Sequence, residues 1–269
     1  MLSIFSWFGY QELTHAEGFR LIKQAGFDGV LLWWASIPEG SEEYRLQPDL
    51  ARREGLFIEN IHANDEHATA IWEDTQEGQT VYEYYLQCID DCAVFEIPTV
   101  VLHPAQTNPV PPPPTALALD RFKRIVDRAQ RSGVNVAVEN MRGAQAIARV
   151  AWVLEQIDSP RLGFCFDNGM YHARLLRTPE AELLARFGHR LMALHLSDNH
   201  GERGEHLLPF DGTIDWPAQM HAIAGKGYSG PAALEVVNTG YEEKSPEEFL
   251  TLAYERAKKL EELRRIPHA

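Results

Sequence analysis

Eight short β-rich runs punctuate the chain, each followed by a longer stretch with helical spacing, and this alternation constrains the fold more than any other feature. The runs are "LSIFSWF", "GVLLWW", "LFIENIHA", "PTVVLHP", "VNVAVEN", "RLGFCFD", "RLMALHL" and "PAALEVV". Near-continuous apolar strands that alternate with helices belong to a parallel sheet covered by helices. Eight such units in 269 residues match the size of one α/β barrel. The expected fold is therefore a single-domain (β/α)8 barrel of the TIM type over residues 1–269. A doubly wound open sheet is the runner-up. Its dinucleotide-binding form wants a glycine-rich first turn, which "FSWFGYQEL" lacks.

Helix punctuation supports the alternation. Thr14 to Glu17 is a capping-box pattern, and Gly26 can close the helix it opens in a left-handed conformation. "TALALDRFKRIVDRAQRSG" carries an apolar face at Leu117, Leu119, Phe122, Ile125 and Val126 and stops at Gly133. "SPEEFLTLAYERAKKLEELRR" reads as a closing helix. The prolines of 108–115 cannot join a helix or ladder, so they form a stiff loop between strand four and its helix.

Composition narrows the classes. The chain is 45% hydrophobic and 24% charged, ordinary for a globular protein, and no run is long and apolar enough for a membrane span. The amino terminus has no basic region ahead of its apolar stretch, so the expected location is cytoplasmic. A formal charge of −14 repels polyphosphate, which argues against a nucleic acid partner. Cys88, Cys92 and Cys165 supply no zinc framework and read as reduced core thiols.

The chemistry gathers at the carboxyl ends of the strands, where barrel enzymes build their sites. Strand two ends on Trp33 and Trp34, three on His62, four on His103, five on Glu139, six on Asp167, seven on His195 and eight on Glu235. In a closed barrel these ends converge on one mouth. Glu139, Asp167, His195 and Glu235 offer one nitrogen and three oxygen donors, a set suited to one divalent ion, Mn²⁺, Mg²⁺ or Co²⁺ first, with Zn²⁺ not excluded. Trp33 or Trp34 can offer a flat apolar face to a ligand; adjacent strand residues point to opposite faces, so one of them packs outward. His62 and His103 can bind hydroxyls, shuttle protons, or simply pack as neutral imidazoles.

"VAVEN", "GFCFDNG", "MALHLSDNHGERGEHLLPFDGTIDW" and "ALEV" resemble the motifs of the xylose isomerase-like barrel superfamily, which includes sugar isomerases, ketose 3-epimerases, inosose-processing enzymes and the endonuclease IV group. The resemblance implies that Glu139, Asp167, His195 and Glu235 hold one metal and that Glu139 and Glu235 flank the substrate as acid and base. It implies isomerisation or epimerisation of a sugar, ketose or inosose-like polyol by proton transfer through an enediolate. The chain departs from the pattern at Met170, where several members have a His, and at Gly204 ahead of His206, where the endonucleases have an Asp. A multi-zinc site is accordingly not expected. The eighth loop, "NTGYEEKSPEE", has one glycine and several acids, which favours an unphosphorylated substrate over one held by backbone amides. Arg142 and Arg203 are the available cations should the substrate carry a phosphate, and His206 completes the substrate-binding candidates. Two alternatives stay open, an endonuclease IV-like phosphodiesterase and a non-catalytic sugar-binding barrel, as does a homo-oligomeric state.

Overall fold

The computed structural model describes residues 1–35, 43–172 and 183–265. Eight parallel strands are present: β1 Leu2–Phe5, β2 Gly29–Trp34, β3 Phe57–Ala63, β4 Thr99–Leu102, β5 Asn135–Glu139, β6 Leu162–Asp167, β7 Leu191–His195 and β8 Ala232–Leu234. They pair in chain order, with β1 also pairing with β8. The seam between β7 and β8 is closed just beyond the strands, where Leu196 and Leu234 form a parallel bridge. The expected (β/α)8 barrel is the fold of the chain.

The described helices are α1 His15–Ala25, α2 Gln47–Arg53, α3 Gln76–Val94, α4 Ala116–Ser132, α5 Ala144–Gln156, α6 Asn168–His172, α7 Leu183–Phe187, α8 Trp216–Ala224 and α9 Pro246–Arg265. Local chemistry sets their ends. Thr14 and Glu17 form the reciprocal capping box of α1, and Gly26 ends it at φ 110°. α4 stops at Gly133, φ 72°. Its buried face is centred on Ala118, Phe122, Ile125, Val126 and Ala129, while Leu117 and Leu119 are only half-buried. The expected stripe holds at Phe122, Ile125 and Val126, with Leu119 packing at its edge, and is corrected at Leu117, because helical periodicity alone does not say which side of a long helix the barrel covers. The proline segment lies between β4 and α4 as expected, and the Arg149 guanidinium donates to the carbonyls of Pro111 and Pro112.

One apolar cluster between strands and helices runs from Leu2 to Leu260. Inside the barrel the residues are small: Ala137, Ala193 and Cys165 pack with Val101, and Ala233 with Phe5 and Leu31. Period-2 alternation separates the two sets. It also separates the tryptophans. Trp34 points outward, fully buried, its indole nitrogen donating to Asp91 at 2.9 Å, whereas Trp33 packs on Phe5 and Leu31 in the lumen. All three cysteines are free and buried. Among the described residues no helix is long and apolar enough to cross a membrane.

Candidate active site

Glu139, Asp167 and His195 close β5, β6 and β7, Glu235 directly follows β8, and the residue after each of the first three ties its strand to the next. Asn140 follows Glu139; its amide donates to the Asp167 carbonyl at 2.8 Å, and its oxygen accepts the Asp167 N–H at 3.1 Å. Asn168 follows Asp167 and accepts the Ser197 N–H at 3.0 Å, just beyond β7. These side chains extend the ladder after backbone pairing ends, so the acids before them turn inward at fixed spacing. Across the seam, the Glu235 N–H donates to the Leu196 carbonyl at 3.0 Å, which sets Glu235 beside His195.

The side chains converge. His195 Nδ1 lies 2.6 Å from Glu139 Oε1 and 3.2 Å from Glu235 Oε2. Glu139 Oε2 lies 3.1 Å from His62 Nε2 and 3.4 Å from His103 Nε2, outside hydrogen-bond geometry in both cases. The ligand atoms of Glu139, Asp167 and Glu235 lie within 4.8 Å of one another, as do those of His62, Glu139 and His195. Glu139 is common to both groups.

Burial and charge oppose each other here. Burial pushes the Glu139 carboxyl up, but His195 and His103 outweigh it and hold that acid well below the usual carboxylate range. Glu235 follows the same logic: burial raises it, His195 wins, and it is held at about 2. Asp167 goes the other way, lifted by burial and by the charges of Glu235 and Glu139 to about 8. Burial would lower His195, yet Cys165, Glu139 and Glu235 raise it well above its ordinary value. Three carboxylates this close keep a proton among them unless a cation replaces it. Glu139 Oε2 and Glu235 Oε2 are buried without a hydrogen-bond partner, and the donors are hard oxygens with an imidazole nitrogen. The residues fit a divalent ion.

Above the cluster opens a cavity of about 750 Å³, with His62, His103, Glu139, Asp167, His206 and Glu235 in its lining. Its other wall is aromatic: Trp7, Phe8 and Tyr10 from the segment after β1, Trp33 from β2, and Tyr44. Trp33 sits 5.2 Å from His62, ring to ring, and its backbone is held by Ser6 and Gln47. His206 is anchored by its Nδ1 on the Glu235 carbonyl at 3.0 Å. Of the sequence candidates, Trp33, His62, His103 and His206 gather at the same mouth as Glu139, Asp167, His195 and Glu235. Arg142 and Arg203 do not: neither lines the cavity, and the Arg203 side chain is 73% exposed. Among the described residues no Lys or Arg lines it. Met170 and the Gly204 backbone are neighbours, because a Cβ on Gly204 would meet the Met170 sulfur at 2.9 Å.

Sequence reasoning missed the aromatic wall after β1, although "FSWFGY" carries the signal as an aromatic cluster at a strand end. It placed Asp198 within a motif, His195-Leu196-Ser197-Asp198, but gave it no role. Buried in the loop after β7, this carboxylate accepts from the N–H groups of Asn199, Phe210 and Ile214 and from the Trp216 indole. The repeated acid–Asn pairs at the ends of β5 and β6 hinted at such ties.

Fold and site together define a closed parallel barrel with a carboxylate–histidine centre at its carboxyl-terminal mouth. The model of the xylose isomerase-like TIM barrel family matches residues 19–260, and the chain belongs to that family. An uncharacterized protein of Sinorhizobium fredii, y4fM, is 28% identical, the match covering 94% of this chain and 91% of the relative. Among solved structures, a D-tagatose 3-epimerase-like protein superposes with a TM-score of 0.75 at 20% identity, covering 98% of this chain and 97% of the other. The IolI protein with a bound zinc atom gives a TM-score of 0.75 at 17% identity, covering 98% of each chain.

Proposed function

We propose that the protein is a metal-dependent isomerase or epimerase of an unphosphorylated sugar, ketose or inosose-like polyol. The observation that carries this reading is the pair Glu139 and Glu235, brought to the same imidazole nitrogen at 2.6 and 3.2 Å on the floor of a cavity with an aromatic wall. Glu139, Asp167, His195 and Glu235 would hold one divalent ion. When bound, such an ion supplies Lewis-acid polarisation of a carbonyl and its neighbouring hydroxyl.

The chain's own residues would do the rest. A carboxylate at the floor removes the carbon-bound proton next to the carbonyl. Return of that proton to the adjacent carbon, with the neighbouring hydroxyl proton passing to the former carbonyl oxygen, isomerises, and delivery of a proton to the same carbon from the opposite side epimerises. The two glutamates are unequal. Glu139 is hemmed in by three imidazoles, with His62 and His103 set 3.1 and 3.4 Å from its Oε2, while Glu235 meets His195 alone among them and is partly open to the cavity. Trp33 offers a flat face for the carbon chain. The absence of lysine and arginine from the described lining supports a substrate without phosphate. The relatedness to 3-epimerase-like and zinc-bound barrels is consistent with this chemistry.

The test uses metal-loaded Glu139→Gln and Glu235→Gln with a panel of ketoses and inososes in deuterated water. Each variant should lose turnover by about 10² to 10⁴, beyond any loss of metal occupancy, and if each face has its own base, one of them retains solvent exchange of the substrate proton. Normal turnover in both metal-loaded variants would remove the glutamates from the chemistry.

A further inference from the structure

His195 has two ring nitrogens, and only one is accounted for. Nδ1 faces Glu139 and Glu235, while Nε2 is fully buried with no hydrogen-bond partner. If Nδ1 is to bind a cation it must present its lone pair, so the ring proton must sit on Nε2. A buried N–H of this kind almost always has an acceptor that fixes the tautomer.

The lumen holds one acidic candidate. The pairing of β2 with β3 slips by one residue, from Val30 opposite Ile58 to Leu31 opposite Asn60. The extra residue is Glu59, three positions before His62. Such a bulge lets two consecutive residues share a face, and Glu59 and Asn60 are both buried, with all four of their side-chain polar atoms unpartnered. The Ser3 and Tyr228 hydroxyls are also buried without partners. β3 and β7 stand opposite each other in the barrel, four strands apart by either route, and the rings of His62 and His195 stack across the lumen at 5.4 Å. The interior also carries small residues, Ala137, Ala193 and Ala233. Burial lifts Glu59 to about 7, and the largest opposing influence is the charge of His195. Cys165 also neighbours His195, but burial pushes its thiol well up, and a neutral thiol is a weak acceptor.

We propose that Glu59 is the positioning partner of His195, accepting the Nε2–H hydrogen bond through ordered water shared with Ser3 and Asn60 and so holding the imidazole in the tautomer that offers Nδ1 to the cation. Clusters of unpartnered buried polar atoms are where internal water is held. The inference rests on the metal site proposed above. It adds a residue that touches neither ion nor substrate and explains a bulge that otherwise costs the sheet a ladder position.

The experiment titrates metal-free wild type, Glu59→Gln and Glu59→Met with Mn²⁺, Co²⁺ and Zn²⁺, and records the thermal midpoint of each metal-free protein. Glu59→Met should bind about 10- to 100-fold more weakly, with Glu59→Gln in between because its amide oxygen still accepts. The metal-free Glu59→Met protein should be at least as stable as wild type, since an unpartnered buried carboxylate has been replaced by an apolar side chain of similar size. Nitrogen-15 imidazole spectra of metal-loaded wild type should show His195 protonated at Nε2, a readout that survives even if Glu59→Met does not fold. Unchanged affinity in both variants, affinity that falls only together with metal-free stability, or an unprotonated Nε2 in wild type would each overturn the assignment. Failure of wild type to take up any of the three ions would instead withdraw the metal site itself, and this inference with it.

Discussion

At the scale of single residues, desolvation and charge oppose each other at Glu139, Glu235 and His195, and Asp167 is where burial and like charge push the same way. Its unfolded-state value is near 3.8, and in the folded protein it is raised to about 8. Between those values the native state binds the extra proton, so this group's contribution to stability falls as pH rises from about 4 to 8. At roughly 1.4 kcal/mol per unit, the effect on the metal-free protein amounts to a few kcal/mol. Asp167→Asn has no such proton to lose. Urea unfolding of the chelator-treated proteins should therefore show the variant gaining on wild type between pH 5 and pH 8. Parallel pH profiles would mean that Asp167 is not the group carrying the shared proton.

At the scale of elements, the segment from His195 to Trp216 shows how a loop is made rigid enough to carry a functional side chain. Asp198 gathers three backbone N–H groups and an indole, and its backbone pairs with Leu207 in both directions at 2.8 and 3.0 Å. Gly212 passes so close that a Cβ there would meet the Asp198 carboxylate at 2.2 Å. His206 is next to that pairing, at φ 52°, and leans on the Glu235 carbonyl. Asp198→Ala strands four donors in a buried place, each worth about 1–3 kcal/mol when left unsatisfied. We expect a loss of at least 2 kcal/mol in unfolding free energy, and a fall in activity larger than that of Asp215→Ala, which removes only the exposed cap of α8. Equal effects of the two substitutions would show that the Asp198 hub does not position His206.

At the scale of the molecule, closure makes one mouth out of eight strand ends, and metal and fold should then be linked. A ligand that binds only the native barrel adds about 2.7 kcal/mol at a hundredfold excess over its Kd. Titration should give close to one divalent ion per chain, with a thermal midpoint that rises on loading and falls with chelator. Two or three ions per chain, with nicking of abasic duplex that disappears in Glu139→Gln, would move the reading to a phosphodiesterase. Two features weigh against that outcome: the −14 charge, which repels a polyanion, and the contact between Met170 and the backbone of Gly204, which puts apolar atoms where further ligands would be needed.

Local physics left its record in the chain itself. Strand and helix alternation, the Thr14–Glu17 box, the glycine stops and the run of acids and histidines at strand ends are all set by interactions within a few residues, and each was legible without a structure. Facing and register were not, because they depend on what each strand pairs with. The same two-residue alternation allowed either Trp33 or Trp34 inward, and only closure of the barrel chose Trp33. Arg142 and Arg203 stood close in sequence to site residues, yet loop geometry left both out of the cavity lining. Glu59 read as one more polar residue in "LFIENIHA" until a slip against β2 placed it in the lumen, opposite a strand more than 130 positions away. Pairing partners and lumen neighbours are chosen by long-range closure, and that is a property of the folded barrel rather than of any segment.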